Sequence, residues 1–206
     1  VDAEGNQVSP SGSLVVTYCY DNYSSPAMVN FAPTIYGGWE ESGLPDTADT
    51  YVIYQEGIYV GYRYYETRYE DTVMGKGNTV GYDYSADVAF PFGYGLSYTE
   101  FALTADLPEI SAEGVRLTVN VKNTGAYAGK EVVQLYASVP FGETGAEHKR
   151  LVAFAKTAEI APGEDAQVQM IFPLRELACY DEGKHAWVLR GGEYVLRLGN
   201  ASDHTE

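Results

Sequence analysis

The chain has 206 residues and a formal net charge of −16. An acidic surface of this kind argues against binding to nucleic acid or to anionic membranes, because both attract clustered Lys and Arg. The 45% share of apolar residues and the 20% share of charged ones predict a globular chain with a real core. No apolar run approaches the roughly 18 residues of a transmembrane helix, and Val1 follows neither a Met nor a signal peptide. We therefore expect the start to be a cut within a longer polypeptide.

The first hundred residues give few strand signals. Residues 1–50 are rich in turn-forming Ser, Pro and Gly and contain one strand-like piece, Leu14–Tyr18. Residues 51–65 alternate well enough to predict a strand. Residues 66–88 are polar and contain glycines, which predicts a surface loop. Residues 1–50 have too few apolar residues to fold alone, so we expect them to lie on another surface.

From Phe101 onward the pattern is typical of an antiparallel β-sandwich. Apolar and polar residues alternate with period two around Val115–Val121, as in a half-buried strand. Turn residues separate further candidate strands, and a short helical turn is predicted at Leu174–Ala178. Six or seven short strands within about 100 residues indicate a sandwich of immunoglobulin or fibronectin type III form. The other candidate strands are Glu131–Val139, Leu151–Thr157, Ala166–Phe172, Ala186–Leu189 and Glu193–Leu198.

Neither metal-binding nor phosphate-binding patterns are present in the sequence. His148, His185 and His204 stand in predicted loops without zinc-ligand spacing, so we expect surface histidines and no cofactor. Cys19 and Cys179 are far apart in the sequence, and both a disulfide and two free thiols remain open.

Three residues of an aromatic stretch are candidates for contact with a substrate: Glu56, Tyr59 and Arg63. Carboxylates are abundant in the chain, and a pair of them about 5–5.5 Å apart is what a retaining glycosidase needs. Glu56 is the candidate for such a pair because aromatic residues surround it in the sequence. We favour an ion pair or a turn carboxylate over a catalytic role for it.

The tyrosines raise a second question. The chain contains 19 of them, many within residues 51–98. Their rings could form a platform for stacking sugars, or they could pack in a buried domain interface. We favour the interface.

Several stretches carry a family resemblance. The segments Ser11–Tyr18, Tyr54–Tyr65 and Phe90–Phe101 resemble the C-terminal part of glycoside hydrolase family 3 enzymes, the β-glucosidase and β-xylosidase group. Later segments look like the fibronectin type III-like domain that closes many of these enzymes, namely Asn123–Gly125, Gly129–Tyr136, Leu151–Thr157 and Gly192–Gly199. The chain departs from the family at Leu14–Val16, where Leu-Pro is commoner, and in the long insert Asn22–Thr50.

The resemblance implies a division into two parts and a function. Residues 1–100 would be the loop-rich C-terminal remnant of an α/β sandwich domain plus an aromatic linker, and residues 101–206 the fibronectin type III-like sandwich, so the fold class is mainly β. Family members hydrolyse β-glycosidic bonds by retaining double displacement, with an Asp nucleophile on a β/α barrel and a Glu acid/base on the α/β sandwich domain.

The resemblance implies that both catalytic positions lie outside these 206 residues, so we expect no catalytic residue here. The expected partners are the barrel and sandwich domains of a parent enzyme and the carbohydrate substrate of that parent. The expected role is accessory: bracing the catalytic domains. Two alternatives stay open: a stand-alone carbohydrate-binding module that uses exposed tyrosines, with Tyr59 and Tyr94 as the positions to test, and a structural spacer domain.

Overall fold

The computed structural model describes residues 16–20, 36–37, 50–51, 57–74, 82–140 and 146–205. Its elements confirm the predicted fold class, because β-strands dominate and pair into antiparallel sheets. The strands are β1 (Tyr18–Cys19), β2 (Tyr36–Gly37), β3 (Thr50–Tyr51), β4 (Val88–Phe90), β5 (Phe101–Ala105), β6 (Glu109–Ile110), β7 (Val115–Asn123), β8 (Val132–Ser138), β9 (Arg150–Lys156), β10 (Asp165–Phe172), β11 (Cys179–Asp181), β12 (Ala186–Val188), β13 (Val195–Ala201) and β14 (His204–Thr205). The helices are α1 (Tyr62–Met74), α2 (Tyr84–Asp87) and a 3₁₀ turn at Leu174–Leu177.

Two four-stranded antiparallel sheets form the sandwich. One has the order β10-β7-β5, with β6 also pairing β7, and the other has the order β14-β13-β8-β9. Small two-stranded pairs, β1-β4, β2-β3 and β11-β12, lie beside them. The strands predicted within residues 101–206 are all present, with ends that differ from the predicted ones by at most three residues.

Strand β7 shows why its sequence specifies a sandwich. Its alternate apolar side chains are buried, from Val115 to Val121, whereas Arg116 and Lys122 are exposed. The buried row packs against Val133 and Leu135 of the opposite sheet, so the core lies between the sheets. Side chains of a strand alternate between its two faces, which is why this period predicts the fold so directly.

Strand β8 departs from this alternation because both of its faces are buried. Val133, Leu135 and Ala137 point into the core, and the intervening Gln134 and Tyr136 are also buried. A strand that faced water on one side would expose those two. The outer face of this sheet is therefore covered by another part of the chain.

The cover includes α1, which the sequence did not predict. The expected strand over residues 51–65 is wrong for the described residues 57–65. The expected loop over 66–88 is wrong for the described residues 66–74 and 82–88, which include the rest of α1, all of α2 and the first residue of β4. Gly57 and Gly61 adopt φ values of +59° and +57°, which an extended strand does not tolerate. The Tyr64 amide donates to the Gly61 carbonyl oxygen (3.1 Å), so the chain turns at Gly61 directly into the helix.

The two cysteines are free thiols. The Cys19 sulfur lies 2.6 Å from the Tyr65 hydroxyl oxygen, and the Cys179 sulfur accepts a hydrogen bond from Arg150 Nη2 at 3.3 Å. Within the described ranges, no helix combines the length and hydropathy that a membrane crossing requires.

Candidate functional site

The most enclosed charged groups of the described chain meet where α1 docks on the sandwich. Glu66 lies in the second turn of α1, and Lys149 immediately precedes β9. Glu66 Oε2 and Lys149 Nζ are 3.1 Å apart, and the two side chains are 4% and 6% exposed. Such burial is costly unless the charges are paired and their remaining hydrogen-bonding capacity is used.

Residues of α2 and of the β13–β14 turn form further hydrogen bonds with this pair. Glu66 Oε1 accepts hydrogen bonds from the hydroxyl groups of Tyr84 (2.7 Å) and Ser202 (2.9 Å). Lys149 Nζ donates to the Ser202 carbonyl oxygen and lies 5.9 Å from the centre of the Tyr136 ring. One network therefore joins α1, α2, the start of β9 and the β13–β14 turn.

A second charged contact flanks the first. The buried Glu147 pairs with Arg150, with Nε and Oε1 2.9 Å apart, and its Oε1 also lies 3.8 Å from Arg63 Nε on the first turn of α1. Burial of Arg150 works against its charged form, but the nearby carboxylate of Glu147 and the Cys179 sulfur outweigh it and leave its pKa raised. The Arg63 contact is half-exposed, so we expect it to add little to stability.

Side-chain oxygens of α1 also accept hydrogen bonds from backbone N–H groups at the edge of the sandwich. The Leu151 amide of β9 donates to the Tyr62 hydroxyl oxygen (2.8 Å), and the His148 amide donates to Thr67 Oγ1 (2.8 Å). The Tyr62 ring packs edge-on against Tyr136, with centroids 5.8 Å apart. Since buried N–H groups need partners, removal of α1 would leave these two without theirs.

The aromatic and glycine run Phe90–Tyr98 covers the outer face of β8. The Phe92 ring stacks on Tyr62 (4.8 Å), and the Phe92 carbonyl oxygen accepts from the Ser202 amide (2.8 Å). Gly93 has φ +84°, and a Cβ there would come within 2.3 Å of Gln134 Nε2. Only glycine fits this close approach of backbone to a buried side chain.

A polar cavity of about 720 Å³ opens beside the Glu66–Lys149 pair. We call it the junction cavity. Three tyrosines and charged groups of both signs line it, drawn from α1, α2 and the sandwich: Glu66, Tyr69, Tyr82, Asp83, Tyr84, Ser85, His148, Lys149, Arg197, Asp203 and Thr205.

Five titratable groups that line this cavity have shifted pKa values, and His148 and Asp203 are two of them. Burial, reinforced by the charges of Lys149 and Arg197, lowers the pKa of His148 to about 4. Burial and the nearby Glu66 carboxylate raise the pKa of Asp203. His148 was expected to be a surface histidine. It is instead half-buried, whereas His185 and His204 are exposed.

The three candidate substrate-contacting residues stay a prediction, and the structure describes two of them. Glu56 lies outside the described residues. Tyr59 is half-buried in an aromatic cluster with Tyr64 and Tyr65, where burial raises its pKa. Arg63 turns instead toward Glu147. The sequence favoured an ion pair or a turn carboxylate for Glu56, and the described ion pair of this stretch is the one between Arg63 and Glu147.

Sequence reasoning missed Glu66, Lys149, Tyr84 and Ser202. All four consecutive residues Tyr64–Thr67 are buried, so the helix has no single apolar stripe to reveal it. One signal in the sequence was Lys149, which stands directly before an apolar strand. A lysine that such a strand draws into the interior is expected to have a carboxylate partner, because Lys is rarely buried unless it is paired.

The arrangement holds the charges of Glu66 and Lys149 in place. Glu66 is neutralised by Lys149, and its oxygens are occupied. Among the described residues, no group of three or more His, Cys, Asp or Glu side chains could hold a metal ion. The geometry therefore suits a rigid joint with a cavity beside it.

Comparison with known proteins supplies the wider context. Residues 131–202 match the family described as fibronectin type III-like domain. A β-glucosidase of Ruminococcus albus is 36% identical over 199 residues, which cover 94% of this chain and 18% of that protein.

Solved structures give the same result. A β-glucosidase from Paenibacillus barengoltzii superposes with a TM-score of 0.74 at 34% identity, covering 97% of this chain and 19% of that one. The GH3 β-glucosidase of Bifidobacterium adolescentis gives 0.72 at 29% identity, with 96% and 25% covered. The chain thus spans about a fifth to a quarter of the length of these relatives.

Proposed function

We propose, from the fibronectin type III-like domain at residues 131–202 and from the homology of most of the chain to part of the glycoside hydrolase family 3 β-glucosidases, that this chain is a non-catalytic accessory portion of such an enzyme. Its parent would hydrolyse β-glucosidic bonds, with the β/α barrel and the α/β sandwich domain supplied by the rest of the polypeptide. The chain itself would brace those domains.

The observation that carries the bracing role is the buried Glu66–Lys149 pair. It fastens the segment before the sandwich to the sandwich itself, together with Tyr84 and Ser202. A flexible tether would not need a desolvated ion pair with its hydrogen bonds satisfied, because such a pair is stable only in a fixed geometry. The joint thus supports a rigid brace rather than a spacer.

The tyrosine-platform alternative loses support at the two positions first considered for it. Tyr59 packs in the aromatic cluster, and Tyr94 is half-buried with its ring 5.0 Å from that of Phe90. Both rings are thus partly covered, which leaves less of each ring face for a sugar to stack on.

Activity of the isolated chain tests the accessory role. The 206-residue chain should release no aryl alcohol from aryl β-glucosides or β-xylosides. Clear turnover that disappears in Glu56→Gln or Glu66→Gln would overturn the assignment.

Heat inactivation of the parent tests the bracing role. In the polypeptide that contains this chain, Lys149→Met should lower the temperature at which β-glucosidase activity is lost while leaving kcat/KM unchanged at low temperature. An inactivation temperature equal to that of the unaltered enzyme would contradict a bracing role.

A further inference from the structure

We propose that the junction cavity is a binding site for a neutral mono- or disaccharide. It goes beyond the bracing role and does not depend on it. Its volume of about 720 Å³ lies in the range of small-molecule sites, roughly 300–1,000 Å³. It opens between α1, α2 and the sandwich edge, and pockets of this kind are common where folded units meet.

The aromatic wall is the first observation that points to a sugar. Tyr69, Tyr82 and Tyr84 line the same cavity, and the rings of Tyr69 and Tyr84 meet edge-on at 5.5 Å. Tyr69 is 49% exposed, so part of its ring remains uncovered. An uncovered tyrosine face can pack against the apolar C–H face of a pyranose ring, and its hydroxyl can bond to a sugar hydroxyl.

The free polar groups are the second observation. Arg197 donates through Nε to Ser138 Oγ (3.2 Å), and its two terminal nitrogens have no partner among the described residues. The Asp203 carboxylate forms no ion pair with any described residue. The cavity thus offers fixed donors and acceptors together, which the hydroxyl groups of a sugar require because each one both donates and accepts.

The charge balance favours a neutral ligand over an anion. Glu66 and Lys149 neutralise each other. The other charged groups that line the cavity are one guanidinium, that of Arg197, and two carboxylates, those of Asp83 and Asp203. A phosphate or carboxylate ligand would face one more negative than positive charge. A polyhydroxylated neutral ligand would not be repelled.

Titration of the 206-residue chain with glucose, cellobiose and xylobiose tests the proposal, by calorimetry and by saturation-transfer NMR. At least one of these sugars should bind saturably. Tyr69→Ala and Arg197→Gln each alter one lining side chain of the cavity. Each should weaken binding about tenfold while the melting temperature stays close to that of the unaltered chain. If one variant does not fold, the other still provides the test.

Tyr180→Ala is the matched control. Tyr180 is 46% exposed and also meets an aromatic ring edge-on, that of Trp187 at 5.7 Å, but it does not line the cavity. Sugar affinity should be unchanged in this variant. An equal loss in Tyr180→Ala, or the absence of saturable binding by all three sugars, would overturn the proposal. Binding of inorganic phosphate without binding of sugar would overturn it in favour of an anion site.

Discussion

The Glu66 carboxylate and the Lys149 ammonium form a buried ion pair, with Oε2 and Nζ 3.1 Å apart. Helix α1 and the start of strand β9, which are distant in sequence, are fastened together by it. The pair is enclosed, so its two charges depend on each other: either one alone would be left in a poorly solvated place.

Removal of one partner should therefore destabilise the chain strongly. We expect Glu66→Gln and Lys149→Met each to lower the free energy of unfolding by about 3–5 kcal/mol, because each leaves the other charge buried and uncompensated. Urea unfolding followed by circular dichroism measures this. The double variant should cost clearly less than the sum of the two single ones, since the groups are in contact.

Lys184→Met is the control for the loss of a lysine charge. Lys184 pairs with Asp181 at 3.6 Å but is 67% exposed, so its removal should change stability by less than about 1 kcal/mol. Similar costs for Lys149→Met and Lys184→Met would show that burial gives the Glu66–Lys149 pair no special weight.

The sandwich could be predicted from sequence and the docked segment could not, for a physical reason. Strand β7 faces the core on one side and water on the other, so period-two alternation appears in the sequence itself. In α1 the buried turn Tyr64–Thr67 is enclosed on every side, by the aromatic cluster and by the sandwich edge. The sequence of this turn therefore lacks the single apolar stripe that reveals a helix. The alternating aromatic residues before α1 indicate a strand instead.

The site was hidden for a related reason. The contacts of Glu66 are with Tyr84, Lys149 and Ser202, and only the fold brings these positions together. The division at residue 100 stays a prediction. The extensive contacts across it, from Tyr62 to Leu151 and from Phe92 to Ser202, show that the two parts pack closely.

Gly93 should be intolerant of a side chain. It has φ +84°, and a Cβ would come within 2.3 Å of Gln134 Nε2, a side chain held by the Asn200 carbonyl oxygen at 2.6 Å. Gly163 has a similar φ of +80° with nothing within 4 Å of its Cβ position. Gly163→Ala should cost about 1 kcal/mol from backbone strain alone, and Gly93→Ala about 1–3 kcal/mol more from overpacking.

The difference between the two glycine variants isolates the steric part, because the backbone strain is common to both. Thermal unfolding of both variants and of the unaltered chain gives the two losses of stability whose difference is this steric part. Equal losses at the two positions would mean that Gln134 moves aside freely and that the Phe90–Tyr98 run is not tightly seated.

The Tyr62 hydroxyl should matter to the edge of the sandwich. It accepts the Leu151 amide hydrogen bond at 2.8 Å, so Tyr62→Phe leaves a strand N–H unsatisfied at a cost of about 1–3 kcal/mol. Hydrogen exchange at the Leu151 amide should become faster. Tyr94→Phe is the control, since the Tyr94 hydroxyl has no partner among the described residues; its removal should change stability by less than about 0.5 kcal/mol. An unchanged exchange rate at Leu151 in Tyr62→Phe would argue against the contact.

His148 should make stability fall as the pH falls. Its pKa is about 4 in the folded chain, below the ordinary value of 6.5, because burial and the charges of Lys149 and Arg197 disfavour the protonated ring, although Glu66 acts in the opposite direction. Between these two values the unfolded chain binds the proton more readily than the folded one. The contribution of His148 to stability is therefore fully present above pH 6.5 and is lost as the pH falls toward about 4.

A comparison with His148→Gln separates this contribution from those of the carboxyl groups. The raised pKa values of Asp203 and Glu131 act in the opposite direction, because a carboxyl group that protonates more easily when folded adds stability as the pH falls. Those groups are present in both proteins, so their effect largely cancels in the difference. Urea unfolding at pH 7 and pH 4.5 should show a larger loss for the unaltered chain than for His148→Gln, which cannot take up the proton. Equal losses in the two proteins would mean that His148 protonates as readily in the folded chain as in the unfolded one, and that the ring is open to water.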